Sequence, residues 1–376
     1  MNLEAARTAL IDASRAATEL HTLLLALHHQ LFRSGFAGEA ADALSQALAK
    51  PLSQLDVTAQ QILSVAQLIE ELAIFEQRLE QYRLVGPITD TVAGFESLGR
   101  ALDWMCARNI DALCTPSSAP PPRYLEDFGD LDLVAISEIN RLSSSPAIAQ
   151  LADAHPDLLL LESGDNHLVA LIDPEHAVTS PAAASPPTIT TFVSGVGSSD
   201  PQHWNGSVNR ARTMAQATGG PVAIWLGYNA PSSVPRALAR EPARRSAGDL
   251  VRFQRSLTRR FPLSHTAVVG YSYGSVVTGY AAREGLVADD LVFVGSPGVG
   301  AHRANDLHFP GRIHAVTADG DFISLTAHGY GGIHGADPTS PTFGANQWSS
   351  QPRGDHSSYW DSPDFLNGLA RLNDKI

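Results

Sequence analysis

The sequence is poor in cysteine, and this shortage excludes disulfide-stapled and zinc-finger proteins. Its 376 residues contain two cysteines, Cys106 and Cys114, whose spacing does not resemble a zinc site. If both lie on one helix, the rise per residue places them about 12 Å apart, which is too far for a disulfide bond. We expect two buried thiols.

Positive charge is scarce as well. The chain has 26 lysines and arginines against 39 aspartates and glutamates, which gives a formal net charge of -13 at pH 7. Proteins that bind nucleic acid need a cationic surface, and the densest basic run, residues 236–260, is typical of the solvated face of a helix. The composition therefore predicts no binding to nucleic acid or to anionic membranes.

Long apolar segments are missing too. No run of 18 apolar residues occurs, and the N-terminus MNLEAARTALIDASR lacks a basic region followed by an apolar stretch. The sequence predicts no membrane-spanning segment and no Sec signal peptide. We expect a cytoplasmic protein, or one exported by a route without such a peptide.

Patterns for metals and cofactors are not coherent. His302, His308 and His314 are six residues apart across a predicted loop and strand, which is not a ligand set for a metal. Gly195 and Gly197 could line a phosphate-binding loop, but no G-x-x-x-x-G-K-[ST] pattern and no third glycine at dinucleotide spacing follow them. We expect no metal and no cofactor.

What the chain does contain changes in character along its length. Over residues 2–112, apolar residues recur at helical spacing, which predicts three or four helices in an antiparallel bundle. The breaks fall at Ser34-Gly35, near Pro51 and at Gly86-Pro87. TPSSAPPPR, residues 115–123, predicts a stiff proline-rich linker. We therefore expect an all-helical domain over 1–114 and a second domain over 124–376.

In the second domain, short apolar runs alternate with helical patterns. Residues 158–173 predict a hairpin whose turn is Gly164-Asp165-Asn166. Further strands are predicted at 188–193, 221–226, 266–271, 290–295 and 312–317, with helices that include 243–260 and 274–284. This alternation predicts a mostly parallel sheet covered by helices on both faces, with the hairpin as an antiparallel edge. Ligands bind such sheets at the carboxyl ends of the strands.

The stretch Gly270-Tyr271-Ser272-Tyr273-Gly274 joins a predicted strand to a predicted helix. A serine on such a sharp turn sits in strained backbone, so its neighbours must be small. A serine hydroxyl also needs a histidine base that a carboxylate orients. The context predicts that Ser272 is a nucleophile. The alternative is a surface serine in a glycine-rich turn.

The acid and the base should follow the nucleophile in that order on this architecture. Asp319 and Asp321 come directly after the last predicted strand, and Asp321 is preferred because an apolar anchor follows it. Among the later histidines, His356 precedes two aromatic residues and a terminal helix, where a base must return to the sheet. His334 is the alternative base, although its loop is better suited to line a pocket.

Two backbone N–H groups should stabilise an oxyanion. Tyr273, after the nucleophile, supplies one, and Val196 in FVSGVGSSD supplies the other, with Gly195 allowing close approach. Aromatic residues near these motifs predict an apolar substrate pocket. The residues expected to line it are Tyr228, Tyr271, His334, Phe343 and Trp348.

Five motifs in order carry a resemblance to a known family. They are IWLGYNAP (224–231), GYSYGSVV (270–277), VGSPGVG (294–300), HGADPTSPTFG (334–344) and DHSSYW (355–360). From about Ala147 onward, the chain resembles the actinobacterial α/β-hydrolase domain family of unassigned function. The serine turn and acid loop are also similar to those of cutinase-like and lipase-like serine esterases. The resemblance implies the α/β-hydrolase fold, with Ser272, Asp321 and His356 as a catalytic triad.

The N-terminal helices resemble a second family. LFRSGFAGEAADAL, residues 31–44, resembles the W-x-G-x-A-A turn of the WXG100-type helical hairpins of type VII secretion, with Phe36-Ala37-Gly38 in place of Trp-x-Gly. The resemblance implies a helical partner or self-association through residues 1–112, and a type VII-like export route. A glycine-containing turn between two ordinary helices is the alternative.

These features together predict a serine hydrolase that cleaves a small-molecule carboxylic ester through an acyl-enzyme. Two alternatives stay open. The same residues could transfer the acyl group to an acceptor alcohol. The chain could also be a secretion-associated or partner-binding helical protein that carries the hydrolase as cargo or as an inactive scaffold.

Overall fold

The computed structural model describes residues 3–35, 37–83, 100–101, 103–105, 107–108, 124–164, 167–173, 178, 186–321, 323, 332–348 and 352–372. Both cysteines, the predicted linker 115–123 and the turn residues Asp165 and Asn166 lie outside this set. The chain divides into two compact units, Met1–Pro121 and Pro122–Ile376.

The first unit contains two long helices, α1 (Leu3–Arg33) and α2 (Glu39–Arg83). The Ser14 hydroxyl donates to the Ala59 carbonyl (2.8 Å), and His28 contacts Ser45 (3.2 Å). The later residue of α1 contacts the earlier residue of α2, so the two helices run antiparallel. The predicted break at Ser34-Gly35 is confirmed, because the chain turns between the two helices there.

The break predicted near Pro51 is wrong. Pro51 lies inside α2, a continuous helix of 45 residues. A proline removes one backbone hydrogen bond from a helix and crowds the preceding turn. Here α1 packs against α2 on both sides of the proline, through Ser45 and Ala59, and this packing outweighs the local preference. Gly86-Pro87 lies outside the described residues.

One face of α1 carries exposed leucines. Leu20, Leu23, Leu27 and Leu31 recur every three or four residues, and each is more than 40% exposed. Phe36, which takes the tryptophan position of the WXG100-type turn, lies outside the described residues. The helical partner, the self-association and the WXG100 resemblance therefore stay predictions. No helix in the described part of the chain combines the length and the apolar character needed to cross a membrane.

The second unit is built on one sheet. Its strands are β1 (Leu158–Gly164), β2 (His167–Ile172), β3 (Thr188–Val193), β4 (Val222–Leu226), β5 (His265–Tyr271), β6 (Asp290–Val294), β7 (Arg312–Val316) and β8 (Asn346–Gln347). Their spatial order is β1-β2-β4-β3-β5-β6-β7-β8. β2 is antiparallel to β1 and β4, whereas the strands from β4 through β3 to β8 are parallel.

Helices cover this sheet. They are α3 (Leu133–Ser143), α4 (Pro146–Ala154), α5 (Trp204–Thr218), α6 (Glu241–Arg260), α7 (Tyr273–Arg283) and α8 (Pro363–Ala370). The α5 and α8 helices pack against each other, as do α6 and α7. The hairpin, the five predicted strands and the two predicted helices lie within one or two residues of their expected positions, so the predicted mostly parallel sheet is confirmed.

The core explains why these strands form. Every residue of β3, β4 and β6 is buried, which suits central parallel strands covered on both faces. Alternate strand residues such as Phe192, Ile224 and Val269 pack with Val208 of α5 and Phe365 of α8 in one cluster. The intervening residues point to the opposite face, because successive side chains of a strand alternate.

Candidate active site

Loops that follow three of the parallel strands meet at the carboxyl edge of the sheet. Val196 follows β3, Ser272 follows β5 and Asp321 follows β7. A cavity of about 410 Å³ opens at this edge. Its wall contains Ser194, Gly195, Val196, Ser198, Gln202, His203, Gly206, Ser207, Arg210, Val234, Ala237, Leu238, Tyr271, Ser272, Tyr273, Pro297, Ile323, Ile333, His334 and His356.

Ser272 sits on a strained turn between β5 and α7. Its φ of 54° and ψ of -128° are unfavourable for a residue with a side chain, and its N–H is held by the Val294 carbonyl (2.9 Å). Gly274 must be glycine, because a methyl group there would overlap the carbonyl oxygen of Val193. The turn holds a 7% exposed serine at the cavity wall. Its hydroxyl makes no hydrogen bond to any residue the structure describes.

Asp321 and His356, 35 residues apart in sequence, are in contact. The distance from Asp321 Oδ2 to His356 Nδ1 is 2.8 Å. The same carboxylate accepts from the Tyr359 hydroxyl (2.6 Å) and from the Ile323 N–H (2.9 Å). Burial alone would raise the pKa of Asp321, but the hydrogen bonds from His356 and Tyr359 outweigh it and hold that pKa below its usual value. The carboxylate stays ionised and fixes the imidazole through Nδ1.

Tyr271 holds His356 from another side. The two rings stack with centroids 5.0 Å apart, and the Tyr271 hydroxyl donates to the His356 carbonyl at 2.5 Å. Burial raises the pKa of Tyr271 to about 12, so the hydroxyl keeps its proton. Sequence reasoning placed Tyr271 in the pocket wall, where it lies, but missed this contact. It also missed the bond from Tyr359 to Asp321, although aromatic neighbours of His356 were the available signal.

The glycine loop after β3 lies against the serine. A methyl group on Gly195 would be 2.7 Å from Ser272 Cβ and 3.2 Å from its Oγ, so only glycine permits this approach. Val196 and Tyr273 both line the cavity. Within the described chain, neither of their N–H groups donates to a protein acceptor. Two donors beside the serine hydroxyl are thus available to a ligand oxygen.

The alternative acid and base occupy other places. Asp319 is exposed and contacts no histidine among the described residues. His334 lines the cavity as expected, but its Nε2 contacts the Ala237 carbonyl at 2.7 Å. Burial lowers the pKa of His334, which keeps this ring neutral. The histidine that contacts the buried carboxylate is His356.

Three aromatic residues expected in the pocket wall do not line the cavity. Tyr228 lies beneath the glycine loop, where its hydroxyl donates to the Ser194 carbonyl (2.7 Å). Phe343 is 1% exposed, within the protein interior. Trp348 packs against Phe365 of α8, with ring centroids 5.7 Å apart. The expectation is corrected for these three because large aromatic rings are as well suited to cores as to pockets.

Other residues take their place. One face of α5 contributes Ser207 and Arg210. The short 3-10 helix Arg236–Leu238, which precedes α6, contributes Leu238. Val234, Leu238 and Ile333 are 63%, 52% and 46% exposed and make the cavity mouth apolar. Sequence reasoning missed these residues, although the i, i+3 spacing of α5 offered a weak signal. No group of three or more metal-ligating side chains converges within the described part of the chain.

A protein-family model agrees with this architecture. Residues 179–329, which include Ser272 and Asp321, match a family model described as alpha/beta hydrolase. The fold is that of the α/β-hydrolases. This match supports a hydrolase.

Relatives in mycobacteria share part of the sequence. Uncharacterized proteins of Mycobacterium tuberculosis and Mycobacterium bovis are 33% identical to this chain over 120 residues. That stretch is 31% of this chain and 45% of those relatives, so the similarity covers less than half of their length.

The similarity to solved structures is weaker. An α/β serine hydrolase from Xanthomonas campestris is 16% identical, covers 55% of this chain and 87% of its own, and has a TM-score of 0.33. Carboxyl esterase 2 from Tuber melanosporum is 13% identical, covers 62% of this chain and 98% of its own, and has a TM-score of 0.34.

Proposed function

We propose that this protein is a serine hydrolase that cleaves a carboxylic ester through an acyl-enzyme. The observation that carries the proposal is that Ser272, two unused backbone donors and the His356–Asp321 pair all meet at one cavity. Each group suits one role in acyl transfer. A glycine-rich turn without catalysis would not need the buried carboxylate or the glycine loop beside the serine.

In the first half of the reaction, Ser272 Oγ attacks the ester carbonyl carbon while His356 Nε2 accepts the hydroxyl proton. The negative charge on the former carbonyl oxygen is stabilised by the N–H groups of Val196 and Tyr273. Each such donor is typically worth about 3 to 4 kcal/mol in the transition state. Because catalytic hydrogen bonds often tighten only when substrate binds, the bond from Ser272 to His356 would form at that stage.

In the second half, His356 returns the proton to the alcohol oxygen as the C–O bond breaks and the acyl group stays on Ser272. Water then attacks the acyl-enzyme, His356 accepts a proton from it, and the acid product leaves as Ser272 recovers its proton. Asp321 remains ionised throughout and stabilises the charged imidazole. Acceptor alcohols that outcompete water in this step would identify acyl transfer instead.

The apolar mouth of the cavity supports an ester with an apolar part. Val234, Leu238 and Ile333 are exposed at the entrance, and burying such side chains against a hydrocarbon is favourable. We therefore propose that the acyl or alcohol part of the substrate contacts this rim. p-Nitrophenyl esters of graded chain length would measure the preference.

A fluorophosphonate probe tests the nucleophile directly. We expect the probe to label the wild type and Ser207→Ala, which removes another serine of the same cavity wall. Ser272→Ala should not be labelled, and its esterase kcat should fall by about 10⁴-fold or more. Labelling that persists in Ser272→Ala would overturn the assignment.

A further inference from the structure

The described wall of the cavity carries a positive charge, Arg210, in a protein whose net charge is -13. Besides Arg210, that wall contains no lysine, no aspartate and no glutamate among the described residues. Acidic residues outnumber basic ones by 39 to 26 over the whole chain, so an acid-free wall around an arginine is contrary to the composition. A wall of this kind attracts anions.

Arg210 is held in place without being neutralised. Its guanidinium carbon lies 5.3 Å from the ring centroid of Tyr271 and 5.8 Å from that of Trp360. Aromatic faces attract a cation but leave its N–H groups available to an acceptor. No carboxylate of the described residues lies within ion-pair distance of Arg210.

Arg212, on the same helix, shows the contrast. It makes a two-pronged ion pair with Asp157, through distances of 2.8 Å and 2.7 Å. This arginine does not line the cavity. Two arginines separated by one residue therefore differ in that one has its anion within the protein and the other faces the substrate cavity.

The planar donor fork of an arginine matches the two oxygens of a carboxylate. Arg210 also shares Tyr271 with the catalytic site, since the Tyr271 ring stacks on His356. An anion on Arg210 would thus belong to the molecule that also reaches Ser272. The exposed Val234, Leu238 and Ile333 supply the apolar surface of the same cavity.

We propose that Arg210 binds a carboxylate carried by the substrate, so that the preferred ester is amphiphilic, with an apolar part and an anionic group. This inference rests on the proposed esterase function of Ser272. The carboxylate could belong to the acyl part or to the alcohol part of the ester, and the recognition chemistry is the same in both cases.

Two matched pairs of chromogenic esters test the proposal and distinguish the two positions. The acyl pair is 4-nitrophenyl adipate monoester and 4-nitrophenyl 6-methylheptanoate, in which an isopropyl group replaces the carboxylate. The alcohol pair is 4-nitro-3-(butanoyloxy)benzoic acid and the corresponding benzamide. We expect the wild type to prefer the anionic member of one pair by at least about tenfold in kcat/KM.

Variants assign that preference to a residue. Arg210→Gln should lower the anionic-to-neutral ratio of kcat/KM by about 10- to 100-fold, mainly through KM, because a hydrogen-bonded charge pair is lost. Arg210→Lys should restore part of the ratio, since it keeps the charge without the fork. Arg212→Gln is the matched control and should leave the ratio unchanged.

Two outcomes would overturn the proposal. One is a wild type that prefers the neutral member of both pairs or distinguishes neither. The other is an Arg210→Gln variant in which both members lose activity equally, because that result identifies Arg210 as a clamp for Tyr271 and Trp360. Circular dichroism and thermal unfolding of the variant establish that it is folded.

A separate measurement distinguishes failure of this proposal from failure of the esterase proposal. If no ester is cleaved and the fluorophosphonate does not label Ser272, the esterase function fails. Titration calorimetry with adipate then still tests the arginine, because we expect binding to the wild type that Arg210→Gln weakens at least tenfold. Equal adipate affinities in the two proteins would show that Arg210 does not bind the carboxylate.

Discussion

Two buried aspartates lie at opposite ends of the same sheet, and both bind histidine. Asp290 begins β6 at the amino ends of the strands, and Asp321 follows β7 at the carboxyl ends. The side chains of both are fully buried. Asp290 binds Arg312 (2.6 Å), His265 (2.7 Å) and His314 (3.0 Å). Asp321 binds one histidine, His356, and no arginine among the described residues.

The difference shows that a histidine–aspartate contact does not by itself mark a catalytic site. The Asp290 cluster joins the first residues of β5, β6 and β7, and none of its members lines the cavity. Its charges satisfy one another, which suits a role in stability. The Asp321 pair leaves a ring nitrogen of His356 facing a cavity that also holds Ser272. The neighbours decide the role of each carboxylate.

Asp321→Asn should give the largest effect. An amide in place of the carboxylate favours the wrong imidazole tautomer and cannot stabilise the charged ring, so we expect kcat to fall by about 10⁴-fold. Steady-state kinetics with a p-nitrophenyl ester measures this change, and urea unfolding verifies that the variant is folded. A kcat within tenfold of the wild type would show that the two aspartates do not differ in role.

Asp290→Asn should act on stability instead. Removing one partner from a buried charged cluster typically costs about 3 to 5 kcal/mol, so we expect the free energy of unfolding to fall by that amount at pH 7. The kcat per folded molecule should stay within about twofold of the wild type. Urea denaturation and active-site titration with the fluorophosphonate measure the two quantities. A selective loss of kcat in a stable variant would contradict this division.

Acidic pH should remove the contribution of Asp290 to the free energy of unfolding. Burial alone would raise the pKa of Asp290, but hydrogen bonds from His314, Arg312 and His265 outweigh it and hold the pKa far below its usual value of about 3.9. A depressed pKa gives stability that is complete above the unfolded value and is lost as the pH falls toward the folded one. The difference in unfolding free energy between wild type and Asp290→Asn should therefore shrink below about pH 4. A difference independent of pH would refute the linkage.

Tyr359→Phe should give the smallest effect. The variant removes the hydroxyl that donates to Asp321 (2.6 Å) and accepts from the Ala318 N–H (3.0 Å). His356 keeps its contact with Asp321. We expect kcat to fall by about tenfold, since one hydrogen bond to a charged group is worth about 1.5 to 3 kcal/mol. Tyr280→Phe, on α7 and outside the cavity wall, is the matched control. Equal kcat values in the two variants would argue against a positioning role for Tyr359.

Local sequence signals were sufficient for most of the fold. The strands β3 and β5 to β7 are short apolar runs bounded by turns, and their predicted limits lie within one or two residues of the observed ones. Pro51 was misjudged because its effect is local, whereas the packing that retains the helix comes from α1. Aromatic composition likewise failed to separate pocket from core at Phe343 and Trp348.

By itself, the sequence determined the strained turn at Ser272, the alternation of strands and helices and the chain order of the candidate nucleophile, acid and base. These features depend on residues close together in the chain, through backbone geometry and hydrophobic periodicity. The tertiary structure decided which histidine meets Asp321, which side chains line the cavity and that no carboxylate of the described residues pairs with Arg210 there. Those outcomes depend on contacts between distant segments, and burial and charge pairing exist only once the segments have packed together.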